Sequence, residues 1–459
     1  MRIEKDTLGE VKLPDNAYYG AQTKRAVENF PISGLTLPRR FIRAQGVVKL
    51  AAVRANSALG LIVSKKAKAI EKAALEVMSG AHDNHFVVDV YQAGAGTSQN
   101  MNANEVIANR AIEILKGKKG DYRQINPNDH VNMAQSTNDT IPASMYISAF
   151  EAVRDDLLPV LTALKDTLSD KANEFDGIVK AGRTHLQDAV PIRLGQEFSG
   201  YSAAVKNDIR RISLASGSLL YLPIGGNAVG TGINSTPGFQ RYVIKEIRKI
   251  TNTKFRSCEN LFEGIQNVNP ALEVSASLRG LSITLTKIAN DIRLISSGPR
   301  TGFAEIQLPA VQPGSSIMPG KVNPVMAEML NMVCFQVIGN DTTIAYATQA
   351  AQLELNVMMP VIAYNLLSSI EILTNGIRVF NQKCLKGIRA DAERCKKLAE
   401  TTLAIATALN PIIGYASAAE VSKESYRTGK SVKDVTVEKG ILEKPSANRL
   451  LDPMKLTGK

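Results

Sequence analysis

The amino-acid sequence predicts a mainly α-helical fold built around a long helical bundle. In several long segments, apolar residues recur at alternating three- and four-residue steps, which puts them on one stripe of a helix. The clearest stripe consists of Leu278, Leu281, Leu285, Ile288, Ile292 and Ile295. Strand-like runs of alternating Val, Ile and Thr are rare, and Gly and Pro punctuate helical segments. Helices that carry Ser, Thr and Asn beside one apolar stripe suit a large bundle with polar pockets.

Two further segments carry the helical period. The first contains Pro159, which predicts a kink or a break, and its apolar residues are Phe150, Leu157, Leu161, Leu164 and Leu168. The second follows Asn323 and continues towards Leu353, and Pro360 limits how far it can run unbent. Its apolar residues are Leu330, Val333 and Val337. Such segments dominate between roughly residues 142 and 381, so we expect the bundle there.

With 459 residues, the chain is too long for one ordinary core, which favours several domains. Its apolar share of 44% and charged share of 21% indicate an ordinary folded protein. The first residues are charged with no apolar segment behind them, and no run of 18 apolar residues occurs. We therefore predict a cytoplasmic protein that does not act at a membrane.

The formal net charge of +12 raises the question of an anionic partner. The basic residues are dispersed, Trp is missing and aromatic residues make up only 5%, which disfavours nucleic acid. We explain the net positive charge instead as a dispersed charge that attracts small anions. The cysteines form no C-x-x-C pair and the histidines show no ligand spacing, so we expect reduced, mostly buried thiols and no metal. The cysteines are Cys258, Cys334, Cys384 and Cys395.

Four loop-like segments concentrate glycine with small polar side chains. They are residues 94–100, 135–139, 182–187 and 314–323. Their hydroxyl, amide and backbone N–H groups are the donors that a carboxylate accepts from, so together they could form one anion site. Each also has a structural interpretation. Residues 136–139 have a helix-capping composition, residues 94–98 could be a turn, and His185 could be a structural histidine.

The segment 314–323 resembles a phosphate-binding P-loop only superficially. Five residues separate Gly314 from Gly320, and Val322 stands where Ser or Thr should follow the lysine, so a nucleotide is not expected. The segment nevertheless places a potential base, an ammonium and an amide within a few residues. Its two glycines allow it to act as a closing lid.

Residues 314–323 resemble the signature of the fumarase/aspartase superfamily, and the ending Lys321-Val322-Asn323 is similar to its fumarase and aspartase branches. The resemblance extends along the chain through residues 17–20, 102–106, 184–185, 225–232 and 297–300. It implies a three-domain subunit, a homotetramer with a shared helical core, and active sites built from three chains. It also implies cofactor-free, reversible elimination of ammonia or water to give fumarate. The expected parts are an N-terminal lyase domain (1–138), a central helical bundle (139–393) and a small helical C-terminal domain (394–459).

Several features are similar to aspartases. They are Ser136-Thr137, Thr97-Ser98, Leu294 and residues 126–129, 339–343 and 352–358. Residues 20–23 and 260–263 resemble fumarases instead, and Met359 departs from the glutamate frequent in aspartases. We favour an aspartate ammonia-lyase, with a class II fumarate hydratase as the alternative. A non-catalytic structural member of the superfamily and a basic nucleic-acid-binding protein are the other classes to exclude.

The resemblance also implies a role for each polar residue. Ser315 would abstract the C3 proton of L-aspartate, which creates an enediolate on the β-carboxylate. The charge on that carboxylate would be stabilised by Thr97, Ser136, Thr137 and Ser316. The α-carboxylate would be held by Thr184, Lys321 and Asn323. Asn138 and His185 would contact the leaving amino group, with Glu328 supporting His185.

Overall fold

The computed structural model describes residues 1–458 and is mainly helical, which confirms the predicted fold class. The helices of the N-terminal half are α1 (Ala21–Asn29), α2 (Arg39–Ala58), α3 (Ser64–Ser79), α4 (Thr97–Ile114), α5 (Thr137–Ala152), α6 (Leu158–Glu174) and α7 (Leu194–Ser216). Those that follow are α8 (Phe239–Thr251), α9 (Leu261–Gln266), α10 (Asn269–Ile295), α11 (Val325–Gln349), α12 (Met359–Lys383), α13 (Ala392–Thr401), α14 (Asn410–Thr428), α15 (Val432–Glu438) and α16 (Lys444–Leu450).

The strands are short and pair only in twos. They are β1 (Arg2–Asp6), β2 (Gly9–Leu13), β3 (Val179–Thr184), β4 (Gln187–Arg193), β5 (Tyr221–Leu222), β6 (Arg256–Ser257), β7 (Ile306–Gln307) and β8 (Arg389–Ala390). Strands β1 and β2, β3 and β4, and β7 and β8 pair antiparallel, whereas β5 and β6 pair parallel. The predicted scarcity of strands is therefore confirmed.

The chain divides into two compact units. The first comprises residues 1–159, 210–282 and 335–374, and the second comprises residues 160–209, 283–334 and the described residues from 375 onwards. The three-domain division at residues 138 and 393 stays a prediction.

The core of the first unit forms around α2, which packs against α3, α5 and α8. Small residues on α2 and α3 allow the two helices to approach closely, and a Cβ on Gly46 would lie only 2.7 Å from Met78 Cγ. Helix α3 is capped at its C-terminus by Gly80, whose left-handed φ of 92° suits a residue without a side chain. In the second unit, α14 and α15 share a smaller apolar cluster, which includes Leu409, Val421, Val435 and Leu451.

The three segments with helical period form helices. Helix α10 carries the clearest stripe, and all six residues of that stripe are buried. The predicted interruption at Pro159 is also confirmed, because a π-helical turn (Val153–Leu157) separates α5 from α6. Proline has no N–H to donate to the carbonyl four residues earlier, so the regular ladder cannot continue through it. Helix α11 ends at Gln349, and α12 begins beside Pro360.

No single helix within residues 1–458 has the length and apolar character needed to cross a membrane; one bent pair, Ala392–Thr401 with Leu403–Thr428, meets the criterion only when its two members are taken together.

The four cysteines are thiols rather than disulfides, as expected. Cys334, Cys384 and Cys395 are buried and Cys258 is partly buried. Burial raises the pKa of Cys258, Cys384 and Cys395 to about 12, so these thiols stay protonated and unreactive near neutral pH.

Candidate active site

The segment predicted to be a lid is a loop between β7 and α11. Its two ends are joined by hydrogen bonds between Gly314 and residues Lys321 and Asn323, and we call this junction the neck of the loop. The Gly314 N–H donates to the Lys321 carbonyl at 2.7 Å, and the Asn323 side-chain amide donates to the Gly314 carbonyl at 2.8 Å. A Cβ on Gly314 would lie 2.8 Å from both the Lys321 carbonyl oxygen and the Asn323 nitrogen. The neck therefore requires glycine at position 314, and Asn323 serves as one of its fastenings.

Within this loop, the Ser315 hydroxyl oxygen faces two backbone donors. Its Oγ accepts the N–H of Ile317 at 3.2 Å and the N–H of Met318 at 3.0 Å. Ser315 itself is partly buried. Hydrogen bonds from N–H groups favour the charged form of an acceptor, so the loop lowers the cost of an alkoxide at Ser315.

Two other predicted residues of the loop are exposed and uncommitted. Within residues 1–458, neither the Ser316 hydroxyl nor the Lys321 ammonium makes a side-chain hydrogen bond or an ion pair. Both groups are therefore available to an anion. The structure brings Ser315, Ser316, Lys321 and Asn323 together in one loop.

A second group of predicted residues lies at the N-terminus of α5. The Asn138 N–H donates to Ser136 Oγ at 3.2 Å, and the Ser136 N–H donates to Asp139 Oδ1 at 3.0 Å, which forms a capping box. Asp139 Oδ2 accepts the N–H groups of Gly225 at 3.0 Å and Asn227 at 2.9 Å. The helix-capping interpretation of residues 136–139 is thus confirmed. It does not exclude a binding role, because a helix N-terminus also attracts anions.

Asp139 is fully buried, and burial raises the pKa of its carboxyl to about 7 despite three N–H donors. The same side chain joins the start of α5 to the turn that follows β5. Asp139 therefore fixes the position of the Ser136 to Asn138 donors.

The hydroxyl of Thr137 is oriented by a residue of α4. Asn100 donates its side-chain N–H to Thr137 Oγ1 at 3.2 Å, and the Asn100 carbonyl oxygen accepts the Thr140 hydroxyl at 3.3 Å. Because Thr137 Oγ1 is already used as an acceptor, its own O–H remains to donate to a ligand. Asn100 lies within a segment that the sequence singled out, but no role was predicted for it.

Asn138 is oriented in a similar way. Its side-chain N–H donates to the Ala228 carbonyl at 2.7 Å, which identifies the opposite atom of the amide as its oxygen. No described residue donates to that oxygen. A free, fixed acceptor therefore lies beside the Ser136 and Thr137 hydroxyls.

A buried lysine that the sequence did not reveal supports the loop before α5. Lys49 of α2 donates to Asn132 Oδ1 at 2.9 Å and to Gln135 Oε1 at 3.0 Å. Burial lowers the pKa of Lys49 to about 7. The signal that could have revealed it is a single charge inside the otherwise small and apolar run 46–53.

Thr97 begins α4 and is exposed. A 3-10 turn (Gly94–Gly96) precedes it, and the Ala95 N–H donates to the Val357 carbonyl at 2.9 Å, so the turn interpretation of this segment is confirmed. The Thr97 hydroxyl reaches only the Gly94 carbonyl, at 3.5 Å, which leaves it accessible to a ligand.

Thr184 and His185 lie at the tip of the β3–β4 hairpin and are exposed. His185 and Leu186 form a two-residue turn with left-handed φ angles of 54° and 61°. Glu328 lies in the first turn of α11, and within the described chain no hydrogen bond joins it to His185. Their pairing stays a prediction.

The charges and the polar atoms of the predicted site residues favour the binding of anions over cations. Among residues 1–458, no group of three His, Cys, Asp or Glu side chains could hold a metal ion. The predicted residues instead present hydroxyls, amides, backbone N–H groups and the Lys321 ammonium. Such groups bind carboxylates and stabilise negative charge that develops on them.

Comparison with known proteins gives matches along the whole chain. Residues 9–339 match the family described as Lyase, and residues 405–458 match Fumarase C C-terminus. An aspartate ammonia-lyase from Bacillus sp is 48% identical, covering 100% of this chain and 97% of that protein. A class II fumarate hydratase from Halobacterium salinarum is 50% identical, covering 99% and 97%. The solved structure of a fumarate lyase:delta crystallin from Brucella melitensis superposes with a TM-score of 0.96, at 44% identity and 100% coverage of both chains.

Proposed function

The chain belongs to the fumarase/aspartase superfamily of lyases, and within it we propose an aspartate ammonia-lyase, which eliminates ammonia from L-aspartate reversibly to give fumarate. The observation that carries the choice of substrate is the free amide oxygen of Asn138. L-Aspartate presents an ammonium, which has three N–H donors and no acceptor. The hydroxyl of L-malate could also donate to this oxygen, but it brings one donor where the ammonium brings three.

The reaction begins with removal of a proton from C3. Ser315 Oγ, as the alkoxide, forms a bond to that proton, and the electron pair of the C–H bond moves into the β-carboxylate as an enediolate. The N–H groups of Ile317 and Met318 support the alkoxide before the transfer. Ser315 thereby acts as the catalytic base.

The enediolate carries a second negative charge on the β-carboxylate, which needs donors. We assign this role to the hydroxyls of Thr97, Ser136, Thr137 and Ser316. Asn100 donates to Thr137 Oγ1, which leaves the O–H of Thr137 free to donate to a ligand. Donors that are held in place before the reaction stabilise such charge without reorganising.

The enediolate then collapses and breaks the C–N bond. The bonding electrons move to nitrogen, so the ammonium departs as neutral ammonia and needs no acid. Asn138 and His185 contact this group, with Glu328 supporting His185. Thr184, Lys321 and Asn323 hold the α-carboxylate and thereby determine which carbon faces the base.

The tip of the Ser315 loop carries apolar side chains that the chain leaves in solvent. Ile317 is 84% exposed, and Met318 and Val322 are each about half exposed. Removing large apolar side chains from water lowers the free energy of the system. We infer that the loop closes over bound substrate, which excludes water and strengthens the contacts to the developing charge.

We also propose a homotetramer with active sites shared between chains. Helix α11 exposes large apolar side chains at helical spacing, among them Met332 (64%), Phe335 (58%) and Tyr346 (67%). Exposed apolar stripes of this kind mark surfaces that other chains cover. The size of the particle in solution, measured by light scattering, tests the assembly, and a monomer would contradict it.

The alternative is a class II fumarate hydratase, which interconverts L-malate and fumarate. The 50% identity to the Halobacterium salinarum enzyme favours it. Adding L-aspartate or L-malate to the pure protein and following fumarate by its ultraviolet absorbance separates the two. We expect fumarate from L-aspartate, and turnover of L-malate alone would overturn the substrate assignment. The Ser315→Ala variant is the control, because it should fold and lose nearly all turnover.

A further inference from the structure

A buried carboxylate, Glu305, binds the hairpin formed by β3 and β4. Its Oε1 pairs with Arg183 Nη1 at 2.8 Å, and its Oε2 pairs with Lys180 Nζ at 3.1 Å. Lys180 also pairs with Glu197 at 2.9 Å. Glu305 is completely buried and Lys180 nearly so. Two cations and two carboxylates therefore balance each other, with Glu305 and Lys180 at the buried centre of the group.

Burial lowers the pKa of Lys180, but the charges of Glu197 and Glu305 outweigh burial and leave the pKa above its usual value. The lysine is thus charged near neutral pH. A buried charge that loses its partner is strongly unfavourable. The pairing around Glu305 is consequently tight and specific.

Glu305 is itself held firmly by its backbone. Its N–H donates to the Ile295 carbonyl at 2.9 Å, and its carbonyl accepts the Asp391 N–H at 2.9 Å. The next residue, Ile306, begins β7 and pairs with Ala390 of β8. The carboxylate therefore projects from a rigid part of the second unit.

The hairpin tip needs such an attachment. His185 and Leu186 both adopt the left-handed conformation, a turn geometry that normally favours Asn-Gly. Non-glycine residues keep strained angles only where the surroundings hold them. The β3–β4 register also shifts between Ala181 and Arg183, so the tip lies beyond an irregularity in the ladder.

We propose that Glu305 is a positioning residue, which holds Thr184 and His185 in their binding geometry through Arg183. The Arg183 guanidinium also lies 4.3 Å from the centre of the Phe303 ring. Residues 303–305 therefore make two contacts with Arg183, one through the Phe303 ring and one through the Glu305 carboxylate. Arg183 immediately precedes the two residues that we assign to the substrate. The inference rests on the proposed function only in assigning Thr184 and His185 to substrate binding.

The test replaces Glu305 by Gln in the full-length, assembled enzyme. Glu305→Gln keeps the shape but removes the charge that holds Arg183. We expect KM to rise about tenfold, because displaced binding groups lose contact with the substrate. Hydrogen exchange of the amides of residues 183–188 should also become faster. Glu4→Gln is the matched control, because Glu4 is buried and pairs with Arg2 at 2.7 Å in the other unit. It should lower Tm without changing KM or the hydrogen exchange of residues 183–188.

A second variant, Arg183→Lys, keeps the charge but loses the planar fork, and it tests the same contact if Glu305→Gln does not fold. It should also raise KM and speed exchange at the tip. Unchanged KM and unchanged exchange in a folded variant, with only a lower Tm, would overturn the proposal and leave Glu305 a merely structural residue.

The wild-type enzyme separates this inference from the proposed function. Its turnover of L-aspartate or L-malate decides the substrate, whereas the ratio of variant to wild-type KM on the active substrate decides the role of Glu305. If the wild type turned over neither compound, the proposed function would fail. The exchange rates of residues 183–188 would still decide whether Glu305 holds the hairpin tip.

Discussion

Replacing Gly314 by Ala should damage catalysis while leaving the fold intact. The new Cβ would lie 2.8 Å from the Lys321 carbonyl oxygen and from the Asn323 nitrogen, whereas ordinary contact begins at 3.4 Å. The neck of the loop must therefore open by roughly 0.6 Å, which strains the 2.7 Å hydrogen bond from the Gly314 N–H to the Lys321 carbonyl. Ser315 is the next residue, so it moves with the neck.

Misplacing a reacting group by 1 Å costs about 100-fold in rate, so this displacement should lower kcat/KM about tenfold, or about 1.4 kcal/mol. The assay is fumarate formation by the purified variant, with Tm measured in parallel. Gly320→Ala in the same loop is the control, because no atom lies within 4 Å of its Cβ and only its φ of +79° disfavours alanine. A Gly314→Ala enzyme within about twofold of wild type would refute the steric argument.

Three other predictions concern separate residues. Asn138→Ala should raise KM for L-aspartate about tenfold but leave inhibition by succinate, which has no amino group, nearly unchanged; equal losses would contradict an ammonium contact. Lys321→Ala should chiefly raise KM, and an unaltered KM in steady-state kinetics would remove its carboxylate role. Burial raises the pKa of Glu105 to about 6, above its unfolded value near 4.5. The folded state therefore binds the proton more tightly than the unfolded state does. As pH rises from 4.5 to 6, the free energy of unfolding should fall by about 2 kcal/mol. Denaturant unfolding of wild type and Glu105→Gln at several pH values measures this, and identical pH slopes in the two proteins would count against it.

Much of the helical framework could be predicted, because the spacing of apolar residues is a local property. The stripe on α10 is buried throughout, and a π-helical turn interrupts the regular ladder within a few residues of Pro159. The proline effect depends only on the missing N–H of one residue. Packing of these helices into two units depends on contacts between distant segments, which no local period encodes.

The polar loops were also visible in the sequence as local motifs. For two of them, the structural interpretation and the ligand-binding interpretation are compatible. Residues 136–139 form the helix cap that their composition indicates, and within that cap Asn100 contacts the Thr137 hydroxyl and the Ala228 carbonyl orients the Asn138 amide. The turn at residues 94–96 likewise places Thr97 at the start of α4. In both cases the structural role creates the geometry that a binding role would use.

By itself, the sequence determined the helical class, the interruption before Pro159 and the polar groups that the Ser315 loop presents, since each follows from residues within one short segment. Only the tertiary structure decided which buried groups hold the other polar segments in place. Lys49 meets Gln135 across 86 positions, and Arg183 meets Glu305 across 122. The physical reason is that a buried charge takes the partner that folding brings within about 3 Å, and the position of that partner along the chain leaves no local pattern.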